Sequence, residues 1–212
     1  MKKILALGLV SLSLSATLAQ ARTFVGIDAG YDRGSFESTN GLAKKSYTGF
    51  INAPAEGWNV GINVGGEWFF GEYVGLRTFL GLGYGQAFAQ ANTNLHVLDV
   101  NLNFDIMANV VNTGSFSTGL FVGVGAGFGI AAQKLSAEAL VSMNIPIYGR
   151  AGITFGLGEH SRIDVTAILP ILSYNMIGFM GTDAETAADM VAAGVPGAYN
   201  PLRFNVGYKF LF

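Results

Sequence analysis

Eight stretches of this sequence alternate large apolar side chains with small or polar ones, and the last stretch ends on Phe212. The alternation has a period of two residues, the period with which side chains of a β-strand point to opposite faces. The predicted strands cover residues 23–32, 58–70, 73–86, 95–107, 116–130, 139–155, 162–174 and 202–212. A repeat of this kind predicts an all-β fold with eight strands.

The two faces of these strands differ in chemistry. One face is large and apolar, and the other consists mainly of glycine and charged residues. In the fifth stretch, Val122, Val124 and Phe128 alternate with glycines. A soluble sandwich would expose the second face to water, yet only 12% of the residues are charged and 30 residues are glycine. Lipid outside and a tight polar lumen inside suit both faces better.

The overall apolarity of the chain indicates a membrane protein. Apolar residues make up 50% of the sequence and the mean hydropathy is +0.41. Beyond the first twenty residues, no stretch reaches the ~18 consecutive apolar residues that a spanning helix needs. A closed barrel is the other structure that satisfies every backbone hydrogen bond in lipid. We therefore predict an eight-stranded antiparallel transmembrane β-barrel in a bacterial outer membrane.

The N-terminal residues have the pattern of a secretory signal peptide. Lys2 and Lys3 precede an apolar stretch, and Ala19-Gln20-Ala21 is typical of a cleavage site. We predict a signal peptide at 1–21 and a barrel domain at 22–212. Loss of the two lysines changes the formal charge from −2 to −4, which does not favour nucleic acid as a partner. The absence of cysteine excludes disulfides and thiolate metal sites.

Connections between the predicted strands alternate in length. With both termini in the periplasm, the outer loops are residues 33–57, 87–94, 131–138 and 175–201, and the periplasmic turns are 71–72, 108–115 and 156–161. Long outer loops and short periplasmic turns are typical of bacterial barrels. In the last outer loop, Thr182 to Glu185 forms a capping box, and residues 183–193 suit a helical turn. That turn either contacts a partner or packs locally.

Aromatic residues lie near the ends of the predicted strands, where barrels carry aromatic girdles. Trp58 and Trp68 share the outer face ten residues apart, which spans roughly 25 Å along a tilted strand. The predicted girdles consist of Tyr31, Trp58, Trp68, Phe70, Tyr84, Phe128 and Phe155.

Two prolines interrupt the sixth and seventh strands. Folding these strands about a turn near Glu159 places Pro146 opposite about residue 172, close to Pro170. Neither proline can donate a ladder hydrogen bond. The sequence therefore predicts a bulge or broken pairing at this point.

The same alternation places ten charged residues in the lumen. The acids are Asp28, Glu67, Asp99, Asp105 and Asp164, and the bases are Arg77, Arg150, Arg162, Arg203 and Lys209. Eight strands enclose an interior just wide enough for side chains, and desolvated charges must pair. Five acids and five bases therefore favour a salt-bridge network that closes the lumen. Glycines would leave room for Phe79, Phe121, Tyr148 and Tyr174. A narrow pore or a ligand cavity is the alternative.

Three motifs that could suggest chemistry have structural explanations. The alternating glycines of Gly123–Gly129 do not have the spacing of a nucleotide-binding loop, since Phe128 occupies the sixth position. The acids and amides of Asp99–Asp105 lack the glycine and glutamate of an EF-hand. His96 and His160 are predicted at opposite ends of the barrel. We expect no catalytic residue, metal or cofactor.

Two segments resemble known outer-membrane proteins. Arg203–Phe212 is similar to the terminal strand of such proteins generally, whose alternating aromatics, here Tyr208, Phe210 and Phe212, are recognised by the barrel-assembly machinery. Gly158–Leu172 resembles the penultimate strand of the Helicobacter outer membrane protein family, with its histidine-containing turn, amphipathic strand and proline-containing end. Larger members carry a long N-terminal surface domain that binds host receptors. We find no counterpart of it here, so the resemblance does not imply adhesion.

The sequence thus predicts a non-enzymatic outer-membrane barrel with a structural or surface-contact role through its outer loops. The alternative is a small channel for ions or small solutes. Expected partners are outer-membrane lipid and lipopolysaccharide, the barrel-assembly machinery during insertion, and a host or surface ligand at the loops.

Overall fold

The structure is a computed structural model that describes residues 20–34, 36–37, 41–44, 55–89, 93–134, 139–180 and 198–212. Most of the predicted signal peptide and the predicted helical turn at 183–193 lie outside the described residues. Among the described residues, no helix has the length and apolarity to cross a membrane.

The eight predicted strands are confirmed. They are β1 (Gln20–Gly34), β2 (Ala55–Phe70), β3 (Val74–Ala89), β4 (Thr93–Asn112), β5 (Phe116–Lys134), β6 (Ala139–Leu157), β7 (Ser161–Met180) and β8 (Leu202–Leu211). Most extend beyond their predicted ends; β4 continues to Asn112 and β7 to Met180. The apolar alternation fades at these ends, but the backbone ladder needs no particular side chain to continue.

The strands close into an antiparallel ring. Each strand pairs with its neighbours in sequence, and β8 pairs with both β7 and β1. The short segment Gly41–Lys44 pairs with the far part of β7, and Ala198–Tyr199 pairs with Phe36–Glu37. Closure pairs the edges that an open sheet would leave exposed in lipid.

The register of the ring is staggered by ten residues. If each residue is followed to its register partner on the next strand, the route begins at Arg22 on β1 and returns to β1 at Asp32, ten residues later. Such a stagger tilts the strands by roughly 40° against the barrel axis. The intermediate partners are Glu67, Arg77, Asp105, Gly123, Arg150, Ile168 and Arg203.

Tight turns join the strands at one end of the barrel, which we call the turn end. They lie at residues 71–73, 113–115 and 158–160, and they contain Gly71, Gly114 and Gly158, which all have positive φ. The second and third turns are shorter than predicted, since β4, β6 and β7 extend into them. The long connections leave from the opposite end, the loop end.

The predicted irregularity at the two prolines is confirmed. Pro146 lies opposite Ser173 and Tyr148 lies opposite Pro170, so Ile171 is an extra residue in β7. Between β5 and β6, the pairing also stops after Ile147 and resumes at Asn144. Both interruptions follow from the missing proline N–H.

The polarity of the wall is that of a barrel in lipid. Outward side chains such as Ile27 and Val64 are 61% and 56% exposed, whereas inward Glu67 and Arg77 are 1% and 0% exposed. Charge inside and aliphatic surface outside is the reverse of a soluble fold.

Candidate functional site in the barrel lumen

All ten charged residues predicted to face the lumen lie on the inner side of the wall. The structure divides them between two levels along the barrel axis. The level nearer the turn end, which we call the ion layer, consists of Glu67, Arg77, Asp105, Arg150, Arg162, Asp164 and Lys209, all of them buried.

Arg77 is the centre of the ion layer and is 0% exposed. Its Nε and Nη2 donate to Asp105 Oδ2 at 2.9 and 2.7 Å, and its Nη1 donates to Asp164 Oδ2 at 2.7 Å. Asp105 is on the adjacent strand β4, whereas Asp164 is on β7. The guanidinium therefore links both sides of the lumen with charge-assisted hydrogen bonds.

The remaining members of the ion layer extend this pairing. Arg150 Nε lies 2.8 Å from Asp105 Oδ1, and Lys209 Nζ donates to Asp164 Oδ2. Arg162 Nη2 lies 3.1 Å from Glu67 Oε1 and Arg162 Nη1 donates to Thr154 Oγ1 at 3.4 Å. The layer thus contains three carboxylates and four cations.

Phenylalanine rings fill the space between these ion pairs. Arg77 Cζ lies 4.5 Å from the ring centroid of Phe121, and Arg150 Cζ lies 4.7 Å from that of Phe79. These distances are within the range of cation–π attraction. Gly152 provides the room for Phe121, since a Cβ there would lie 2.5 Å from its Cζ. The layer is packed with side chains, as expected for an eight-stranded interior.

Tyr174, by contrast, does not enter the lumen, and its predicted position is wrong. Its side chain is 49% exposed, while Ser173 and Asn175 are each 1% exposed. The extra residue Ile171 shifts the alternation of β7 by one position, so every later side chain changes face.

The second level lies nearer the loop end and contains a small cavity, which we call the chamber. Its volume is about 90 Å³, room for several water molecules. Arg203 Nη1 lies 3.1 Å from Asp99 Oδ2, and Arg203 Nε lies 3.6 Å from Asp32 Oδ2. Asp32 is 3% exposed and was missing from the predicted network.

The third carboxylate of the chamber, Asp28, is bonded to amides. Asn63 Nδ2 donates to its Oδ2 at 2.5 Å, and Asn205 Nδ2 donates to its Oδ1 at 3.0 Å. Among the described residues, Asp28 forms no ion pair within 4.0 Å. At this level two carboxylates, Asp28 and Asp99, and the Arg203 guanidinium line the chamber, and Asp32 pairs with Arg203 behind the lining.

The polar run Asp99–Asp105 connects the two levels along β4. Asn101 Nδ2 donates to Asp99 Oδ1 at 2.7 Å, and Asn103 Nδ2 donates to Asn101 Oδ1 at 2.6 Å. Asn103 Oδ1 in turn accepts from Arg150 Nη1 at 3.0 Å. The amide side chains therefore form hydrogen bonds with one another and with the charged side chains at both levels. Within the part of the chain that the structure describes, no three His, Asp or Glu residues are placed to hold a metal ion.

Three residues before β8 fold across the mouth of the lumen at the loop end. We call this segment, Tyr199–Pro201, the cap. The Tyr199 ring is 3% exposed and belongs to an apolar cluster of inward side chains from β2, β3, β4 and β5. Its other members are Ala55, Ala87, Leu95, Val97 and Ala131.

Asn200 fixes the cap to the opposite part of the wall. Its Nδ2 donates to Ser173 Oγ at 2.8 Å, and its Oδ1 accepts from Asn144 Nδ2 at 2.5 Å. Asn144 Nδ2 also donates to the Tyr199 carbonyl at 3.2 Å. The sequence pattern placed these residues in an outer loop, so their burial was not predicted. The signal that could have found the cap is the set of alanines at inward positions near the loop end.

Comparison with protein families identifies the chain. The model of the Helicobacter outer membrane protein family matches residues 61–192. The chain belongs to the Helicobacter outer membrane protein family. The resemblance predicted from Gly158–Leu172 is thereby confirmed, and it reaches much further towards the N-terminus than that segment. No curated protein matches the sequence.

Solved structures support the same fold. Neisserial surface protein A has 12% sequence identity and a TM-score of 0.52, with 90% of this chain and 97% of that chain covered. A major outer membrane protein from Thermus thermophilus has 11% identity and a TM-score of 0.54, with 91% and 100% covered. At these identities the likeness concerns the fold alone. Family and fold together place this Helicobacter-family barrel in the bacterial outer membrane.

Aromatic side chains lie on the outer face of this barrel near both ends. Towards the loop end, Tyr31 is the register partner of Trp58, whose ring lies 5.7 Å from that of Tyr84. Phe128 is 41% exposed on the same outer face. His96 stacks on Tyr84, and its Nδ1 lies 2.8 Å from the tyrosine hydroxyl.

Towards the turn end, the outer aromatic residues come from the last residues of the chain, from the third turn and from β2 and β6. Phe210 and Phe212 pack edge to face at 5.1 Å, and His160 stacks on Phe210 at 5.7 Å. Tyr208 shares a 2.9 Å hydrogen bond with Ser161. The predicted girdle residues of this end are Trp68, Phe70 and Phe155, on β2 and β6.

Proposed function

We propose that this protein is a non-enzymatic structural barrel of the outer membrane, with a lumen closed by the ion layer and outer loops that make surface contacts. The observation that carries the proposal is the position of Arg77. It is fully buried, and it bonds to carboxylates from β4 and β7 at the same level of the lumen.

A solute that crossed this level would have to separate desolvated ion pairs. Removing one partner from a buried pair leaves an uncompensated charge, which is strongly unfavourable. The phenylalanine rings occupy the space that a hydrated ion would need. Conduction requires binding weak enough for the ion to leave again, and fixed counter-charges at 2.7 to 3.1 Å do not favour it.

The surface-contact role is supported by the distribution of the connections. The turn end has three tight turns, whereas the loop end carries two long connections, residues 35–54 and 181–201. Loops held by a rigid scaffold are the usual place for binding in barrels. Gly41–Lys44 in the first long connection pairs with β7, and Leu42 there is 69% exposed. We propose lipopolysaccharide or a host surface as the partner of these loops.

The outward aromatics of β8 support an interaction with the barrel-assembly machinery during insertion. Phe210 and Phe212 are 43% and 67% exposed at the end of the chain. These aromatic side chains face lipid in the folded barrel. Before the strands close into a barrel, they are accessible to another protein.

A planar-bilayer recording tests the closed lumen. The folded protein, verified by separate migration of its unheated and boiled forms on a gel, is expected to give no discrete openings. Discrete openings would contradict closure and favour the alternative, a narrow channel. That alternative draws support from the chamber, whose loop-end level is lined by Asp28 and Asp99 against the one guanidinium of Arg203.

A loop-replacement experiment tests the surface contact. Bacteria that display the barrel with residues 181–197 replaced by a short Gly-Ser linker are compared with bacteria that display the full chain. We expect attachment to lipopolysaccharide-coated or host-cell surfaces to fall at equal amounts of folded barrel. Equal attachment to both surfaces would contradict a contact role for this loop.

A further inference from the structure

The loop end of the lumen has a closure of its own, separate from the ion layer. Tyr199 and Asn200 are each 3% exposed, and they contact different parts of the wall. The ring occupies an apolar site lined by alanines, and the amide bonds to Asn144 and Ser173. The chamber lies between this cap and the ion layer, since residues of both line it.

The two closures differ in kind. The ion layer is held by buried charge pairs, one of which, Arg77–Asp164, joins opposite strands of the ring. The cap is held by hydrogen bonds between neutral groups, by the strand pairing of Tyr199 with Phe36 and by apolar contact with the alanine-lined cluster. Neutral hydrogen bonds contribute less than charge-assisted ones, and the cap is a short segment outside the barrel ladder. The cap is therefore the closure that can open while the ring stays intact.

The chamber that an open cap would expose is acidic at its loop-end level. Asp28 and Asp99 line it there beside Arg203, and Asp32 pairs with Arg203 from behind the lining, whereas Arg150, Asp164 and Lys209 of the ion layer line the other end. Its floor, the ion layer, has one more cation than carboxylates. A small cation would be attracted into the chamber and repelled at its floor.

We propose that the cap is a gate that controls access of small cations from the loop end to the chamber, and that the ion layer prevents their passage to the turn end. The lumen is then a dead-end chamber. This inference rests on the closed lumen proposed above, and it adds the gate and the class of solute that the chamber admits.

Cysteine labelling tests the gate, because the chain has no cysteine of its own. Asn101→Cys places a thiol in the chamber wall. Its reaction with methanethiosulfonate reagents that carry a trimethylammonium or a sulfonate group is followed by mass spectrometry, on purified folded barrel in micelles. Leu42→Cys gives the rate of a fully accessible thiol, and Ser117→Cys reports the turn end, where it lines a vestibule of about 580 Å³.

Removing the ring of Tyr199 is expected to open the chamber. Tyr199→Ala should raise the labelling rate of the Asn101→Cys thiol at least tenfold, with the cationic reagent several-fold faster than the anionic one. Tyr199→Phe, which keeps the ring, should leave the rate low. Tyr174→Ala is the matched control, since it removes an outward tyrosine, and it should change nothing. The Ser117→Cys rate should be equal in all of these backgrounds.

Two results would overturn the gate. One is an Asn101→Cys thiol that reacts as fast as Leu42→Cys with the cap intact, and the other is a Tyr199→Ala variant that reacts no faster than its parent. Equal rates for the two reagents would overturn the preference for cations. Tyr199→Ala should also remain silent in a planar bilayer. Openings in that variant would contradict the closed floor, and hence the proposed function, while leaving the labelling result as the test of the gate.

Discussion

Arg77 on β3 and Asp164 on β7 form a 2.7 Å ion pair across the full width of the barrel. Their strands are four positions apart in a ring of eight, so they lie on directly opposite sides. Arg203 on β8 and Asp99 on β4 form a second pair with the same separation, at 3.1 Å. Each pair joins the two halves of the wall, which backbone hydrogen bonds connect only around the circumference.

The Arg77–Asp164 pair leads to a prediction about stability. Asp164→Asn leaves Arg77 and Lys209 short of a buried counter-charge, and we expect it to lower the free energy of unfolding by about 3–5 kcal/mol. The measurement is urea unfolding in micelles. Glu56→Gln is the matched control, since Glu56 lies 3.9 Å from Arg33 with both side chains more than a third exposed. That change should cost less than about 1 kcal/mol. A similar cost for both variants would contradict the central role of the buried pair.

Two glycines on opposite faces of the wall, Gly65 facing the lumen and Gly149 facing outward, should respond in opposite ways to alanine. A Cβ at Gly65 would lie 2.2 Å from the Thr78 carbonyl and 2.4 Å from Phe79 Cβ, whereas at Gly149 it would meet only Ile171 Cδ1 at 3.7 Å. Gly65→Ala should therefore destabilise the barrel by about 1–3 kcal/mol through overpacking. Gly149→Ala should be neutral or slightly stabilising, because it restricts the unfolded chain. Unfolding in urea compares them, and an equal effect of both would show that the lumen can relax around the methyl group added at Gly65.

The alternation predicted which face each side chain occupies, but it could not predict which side chains meet. The strands, the outward stripe and the ten inward charges are local properties of each segment. The partner of Arg77 depends on the ten-residue stagger of the ring, which no single strand encodes. The predicted balance of five acids and five bases therefore said nothing of their separation into an ion layer and an acidic chamber.

The wrong or missing predictions occur where the alternation is interrupted. Tyr174 was placed inside because the prolines predicted an irregularity near residue 170 but not whether it adds a residue to the strand. Asp32 shared the inward phase but stood at the last predicted position of its strand, so it was not included in the network. Tyr199 and Asn200 belong to no alternating stretch, and their burial comes from folding across the mouth.

The bulge at Ile171 should be visible in the exchange of backbone amides. Its neighbours Leu172 and Pro170 pair with Ile147 and Tyr148, so Ile171 has no register partner on β6. Its amide is expected to exchange at least tenfold faster than that of Val165, which pairs with both Ile153 and Val206. NMR of the barrel in micelles measures both. Equal protection would mean that the ladder continues through the prolines in a different register.

The outward aromatics at the end of β8 should matter more for assembly than for stability. Phe212 is 67% exposed at the turn end and contacts Phe210. Since its ring is on the surface of the folded barrel, Phe212→Ser should change unfolding in micelles only slightly. In cells, we expect the same change to lower the amount of heat-modifiable barrel in the outer membrane several-fold. Phe116→Ser is the control, because Phe116 is also exposed at the turn end, at 39%, but lies on β5. An equal loss in both variants would indicate a general need for apolar surface there rather than recognition of the last strand.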